Sequence, residues 1–220
     1  MSDDVKPRRT YRSIKRAQQV VATRHDIVSA AGTLFTRDGY SSTSMPAIAR
    51  EAGVAVETIY RAFGGKAGLF KAVVRSALAG GVRRADVPVE ERPAIRAVID
   101  EPDPRRQIEL YAATQPGIHR RAGPLLRALR GAAAGDPALA ALWSEMEATR
   151  HEGHGRLVGL LAERGALRPG LDVDEARDAF WTLCSLAVRD MLVEARGWPE
   201  DRYLAWLTKA LQDLLLPPAT

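Results

Sequence analysis

The chain is 220 residues long and 46% apolar, with 32 basic residues against 27 acidic ones and a net charge of +5. That allows a substantial core, in one large domain or in a small domain joined to a larger one. No run approaches the roughly 18 apolar residues of a membrane span, no apolar leader follows a basic start, and a single cysteine, Cys184, excludes an internal disulfide. A soluble, cytoplasmic protein without a membrane partner is expected.

The charge is placed unevenly. Residues 1–66 hold eleven bases and six acids, so the whole surplus lies in the first third. That asymmetry points to a polyanion at the N-terminal end, with a solubilising tail as the plainer alternative. Residues 1–22 read as a flexible basic arm. From Thr23 a helical period begins, with Ile27, Ala30, Ala31, Leu34 and Phe35 on one face until Gly39. Ser44 caps a second short helix, with Pro46 in its first turn and Gly53 as its stop. The stretch GVAVETIYRAFGGK, Gly53 to Lys66, supplies a third helix ended by Gly64 and Gly65. Lys66 opens a fourth, striped by Leu69, Phe70, Val73, Val74 and Ala77.

After Gly80 and Gly81, prolines at 88, 93, 102 and 104 punctuate short pieces, one of them a small helix over Ile95, Val98 and Ile99. Asp103-Pro104 begins a helix through Ile108 and Tyr111, and Pro116-Gly117 and Gly123-Pro124 read as turns. Asp136-Pro137 starts a long helix to Arg164, and Asp172 with Glu175 caps another that ends near Gly197. Pro199 opens the last, which runs to Leu216. No segment alternates with period two, so the chain is predicted all-α, with about nine helices.

The second and third helices, joined by a tight glycine turn with the first packing across them, make a helix-turn-helix whose second member enters the major groove. Ile59 and Phe63 anchor the third helix inward; Ala55, Val56, Glu57, Thr58, Tyr60 and Arg61 face out. Long charged side chains would hold such a helix away from base edges, which explains its sparse charge. An ordinary short core helix is the plainer reading.

The stretch TRHDIVSAAGTLFTRDGYSSTSMPAIAREAGVAVETIYRAFGGKAGLF resembles the DNA-binding domain of TetR-type transcriptional repressors, through AAGTLF, Gly39-Tyr40, IAREAGV, TIYRAF and the lysine after the glycines. The likeness covers residues 23 to about 75, and the final helix pair looks like that of one branch of the family. It implies a DNA-binding domain over residues 23–70 and a helical ligand-binding and dimerisation domain over 71–220. It also implies a homodimer on a palindromic operator of double-stranded DNA, released by a small-molecule inducer. By position, Thr43 and Ser44 touch phosphate, Ala55, Val56, Glu57 and Arg61 lie outward on the recognition helix, Tyr60 reaches phosphate through its hydroxyl, and Lys66 is a phosphate clamp. Two positions depart: Ala55 replaces the usual Ser or Thr, and Gly68 stands where an acid is common.

Dimerisation also follows from two apolar stripes between Asp174 and Ala195, one through Phe180, Leu183 and Ala187, the other through Trp181, Cys184 and Val188. A helix apolar on two sides is covered twice, so residues 172–216 are the expected interface. On the long helix after Asp136, the apolar stripe of Trp143 and Met146 is interrupted by Thr149, Arg150, Gly153 and His154. That run suits a cavity wall, with Tyr111 and Trp181 added by fold analogy. The expected ligand is largely apolar, with one acceptor or anionic group facing Arg150; the plainer reading lets Arg150 reach solvent and Gly153 mark a bend. His151 and His154 lack the spacing and third ligand of a zinc site, Cys184 reads as core, and nothing in the local spacing predicts a metal, a cofactor or catalysis. An all-α enzyme or sensor with a basic tail, or a TetR-like activator, are the competing readings.

Overall fold

The computed structural model describes residues 8–218, with side chains from residue 15 onward. Among the described residues there are eleven α-helices and no strand, as the absence of two-residue alternation predicts. They are α1 (Arg8–Ser42), α2 (Met45–Ala52), α3 (Val56–Phe63), α4 (Lys66–Ala79), α5 (Val82–Ala85), α6 (Pro93–Asp100), α7 (Pro104–Ala133), α8 (Pro137–Glu163), α9 (Val173–Leu183), α10 (Leu186–Arg189) and α11 (Glu200–Leu215). A 3-10 turn (Val89–Glu91) precedes α6, and a π-helical turn (Asp190–Ala195) follows α10. No helix among the described residues is long and apolar enough to cross a membrane.

The ends of the first helices follow local chemistry. Gly39, at φ 79 and ψ 169, breaks α1 in a conformation that a β-carbon would strain. The Ser44 hydroxyl accepts from the Ala47 N–H at 3.3 Å, and left-handed Gly53 closes α2 by donating to Ala49 and Arg50. The expected arm differs. Residues 1–7 lie outside the described residues, but residues 8–22 form the first turns of α1. Arg, Lys, Gln and Ala are good helix formers, and extending an anchored helix avoids the cost of nucleation.

Two further expectations are corrected. Pro116 and Pro124 do not end a helix; both lie inside α7. Each costs about 3 kcal/mol in a helix interior. Burial of Ile108, Leu125 and Leu129 on the same helix, at about 1.5–3 kcal/mol each, offsets that. Conversely, the helix expected to run from Asp172 to near Gly197 stops at Leu183. There the Ser185 hydroxyl accepts from the Val188 N–H and starts α10 as a new cap.

There are two cores. The first joins Ile27, Ala31 and Phe35 of α1, Ile48 of α2, Ile59 of α3 and Leu69, Phe70 and Val74 of α4. Phe70 meets the rings of Phe35 and Tyr40 at centroid distances of 4.9 and 5.0 Å. The second gathers Val98, Ile108, Val158, Leu161, Phe180, Tyr203, Leu207 and Leu211. α7 and α8 span both: Leu129, Leu139 and Leu142 belong to the first, Ala112, Leu157 and Leu161 to the second. The polar run from Thr149 to His154 is where α8 crosses from one to the other.

Candidate nucleic-acid interface and ligand cavity

The residues of α3 divide between the first core and solvent, with Val56 and Thr58 half-buried between them. Ile59 is fully buried, and Phe63 is half-buried beneath it. Ala55, Glu57, Tyr60 and Arg61 are exposed together, Tyr60 at 51%. Ala55 takes the cap position with no side-chain cap bond, the loss expected from its substitution for Ser or Thr. Val56 departs from its outward assignment: it packs half-buried against the first core, because the first turn of so short a helix lies close to that core.

Thr43 is also corrected. It is only 2% exposed, and its hydroxyl donates to the Gly39 carbonyl at 2.7 Å. The break at Gly39 frees carbonyls that need donors, and Thr43 supplies one internally. Ser44 stays exposed; its oxygen accepts within α2, leaving the O–H free to donate. Lys66 folds back toward the α1–α2 corner, donating to the Ser41 carbonyl at 3.3 Å with its ammonium 4.4 Å from the Tyr40 ring centre. Burial lowers its pKa from the ordinary lysine value.

Two residues that orient α3 have no local signal. Arg24 of α1 donates to the Ala62 carbonyl at 2.9 Å and lies 4.3 Å over the Phe63 ring, holding the C-terminal end of α3. These partners are 38 positions apart, beyond any helical spacing. In the sequence Gly68 stands only as a departure from a position where an acid is common. In the fold, a β-carbon there would stand 2.1 Å from the Phe63 carbonyl oxygen, so only glycine lets α4 approach α3 this closely.

The eight residues expected to line one ligand site are divided among three hollows. Tyr111, Gly153 and His154 border a cavity of about 570 Å³ between α6, α7 and α8, within the usual range for small-molecule sites. Trp143 and Trp181 border a second, of about 500 Å³, and Met146 and Thr149 a third, of about 370 Å³. The reason is the crossing of α8: Trp143 and Met146 pack against the first core, too far along the helix to face the second. Thr149 is exposed and returns its hydroxyl to the Glu145 carbonyl. Arg150 alone of the eight borders all three.

Arg150 is not free. It donates to Glu147 at 2.7 Å and to the Trp181 carbonyl at 2.6 Å, and its guanidinium lies 4.8 Å over the Trp181 ring. Deeper in the large cavity, the Tyr111 hydroxyl meets His154 Nε2 at 2.6 Å. His154 is 3% exposed; burial, and then Arg150, push its pKa down to about 3, so the ring is neutral. Burial also raises the Tyr111 phenol well above its usual range. The neighbouring His151 turns the other way, to Asp178 of α9 at 2.7 Å. Cys184 is core, its thiol pushed up to about 12 by burial.

The fold and exposed helix define a class: an all-α protein with a helix-turn-helix domain ahead of a larger helical domain. The model of the family described as bacterial regulatory proteins, tetR family, matches residues 27–73, the stretch that holds the C-terminal part of α1 and all of α2 and α3. No curated protein matches the chain. Among solved structures, a protein described as a TetR-family transcriptional regulator from Mesorhizobium loti superposes with a TM-score of 0.67 at 22% identity, covering 90% of this chain and 98% of its own. One so described from Rhodococcus sp. gives 0.67 at 16%, covering 88% and 99%. A transcriptional regulator from Saccharomonospora viridis, in complex with choline, gives 0.66 at 18%, covering 89% and 98%. Identities this low establish the fold alone.

Proposed function

We propose that the chain represses transcription as a homodimer bound to a palindromic operator in double-stranded DNA, and that a small molecule in the large cavity releases it. One observation carries the reading. Glu57, Tyr60 and Arg61 stand exposed together on a short helix that is fixed from beneath by Ile59 and at its end by Arg24. Such a helix can enter a major groove without losing its own packing. Arg61 and Glu57 read base edges, whereas Tyr60, Ser44 and Lys66 grip phosphate. For the partner subunit, α9 to α11 offer Met191, 57% exposed, beside half-buried Leu183, Ala187, Leu192 and Leu204. A two-fold pairing there sets two recognition helices on one palindrome. Differential affinity of the ligand for one spacing of those helices would then shift the population off the DNA. Footprinting on the protein's own promoter region, with and without metabolite extract, tests this. A protected palindrome that the extract exposes is the expected result. No specific protection would return the enzyme or sensor reading.

A further inference from the structure

The large cavity carries information about the charge of what it holds. Ile95, Val98 and Ile99 of α6, Ile118 of α7, and Leu157 and Leu160 of α8 make its walls apolar. Of the two arginines that border it, Arg150 commits three of its five N–H groups, Nε and Nη2 to Glu147 and Nη1 to the Trp181 carbonyl. The inner polar groups, Tyr111, Thr114, Gln115 and His154, carry no charge at neutral pH. At the mouth, Glu90 pairs with Arg156 at 3.6 Å, and both these residues and Glu163 are exposed to solvent. A charged ligand group would therefore leave water for a place without a free counter-ion, which is costly.

Resting on the reading of this cavity as the regulatory site, we infer that it selects an uncharged, apolar ligand with one hydroxyl-type group, and that the Glu147–Arg150 pair excludes carboxylates. The hydroxyl has a defined partner. A neutral imidazole nitrogen is a better acceptor than a phenol, so Tyr111 donates to His154 Nε2 and keeps its own oxygen to accept from the ligand. Space for the apolar part is provided by glycines: a β-carbon at Gly159 would meet nothing within 4 Å, and one at Gly153 only the end of Arg156 at 3.9 Å. Of the acceptor or anionic group expected from the sequence to face Arg150, an anionic one would meet a guanidinium already paired with Glu147.

The test is calorimetric titration of the full chain, without DNA, with 1-decanol, decanoate and decyltrimethylammonium, which share a chain and differ in charge. 1-Decanol is expected to bind with one molecule per chain, and both ions at least roughly tenfold more weakly. Gly159→Leu, which fills the cavity and favours the helix, should melt as a folded protein and give no decanol heat. Glu147→Gln frees Arg150 and should raise decanoate affinity relative to decanol by about tenfold. Either ion binding as tightly as decanol, no heat from any probe, or an unchanged decanoate ratio in Glu147→Gln overturns the inference. Failure of the regulator reading is separate: it would be an absent footprint while decanol still binds.

Discussion

Two buried histidines weaken this protein in acid. Burial pushes His154 down to about 3 and, reinforced by Arg189, His119 down to about 4, from an ordinary 6.5. Below that ordinary value the unfolded chain binds protons that the folded chain refuses. Stability is therefore full above pH 6.5 and falls as acid is added, by up to about 1.4 kcal/mol per pH unit for each ring, until the folded pKa is reached. Thermal melts at pH 7 and pH 5 should lower the wild-type Tm more than that of His154→Gln; equal drops would contradict the burial of a neutral ring. In the sequence, His154 could be placed on a cavity wall because it interrupts an apolar stripe. Its bond to Tyr111, 43 positions away, could not be read. Thr43 misled for a similar reason: its hydroxyl is needed by a carbonyl that becomes free only once Gly39 has broken the helix.

At the scale of elements, the corner between α3 and α4 is the least forgiving contact near the DNA-binding face. Gly68→Ala places its β-carbon 2.1 Å from a backbone oxygen, which cannot rotate away as a side chain could. The corner has to open, at about 1–3 kcal/mol, and α3 turns with it. Chemical denaturation should register that loss together with weaker operator binding. Unchanged stability would mean that the helices do not approach so closely. The ends of α2 and α3 were legible because Ser44, Gly53 and Gly64 act on their own neighbours. The continuity of α7 was not, since packing along both cores overrides two prolines whose local preference is for a turn. The division of the expected ligand residues has the same origin: a helical period gives the face of α8, but not which core each end of it meets.

For the whole molecule, the charge surplus of the first 66 residues and the exposed face of α3 belong to the same end of the chain. Under the proposed function that end would bind a polyanion, α9 to α11 would pair the subunits and the cavity between α6, α7 and α8 would bias their spacing. The most direct measurement is selection of the wild-type protein on random duplex DNA, repeated with Arg61→Ala and Lys66→Ala. A palindrome is predicted, with half-sites about one helical turn apart or a multiple of it. Arg61→Ala should relax one position in each half, where a bidentate contact discriminates by about 1–3 kcal/mol. Lys66→Ala should return the same motif with weaker binding overall and a salt dependence reduced by about one unit. An enriched motif without two-fold symmetry, or no motif at all, would contradict the account.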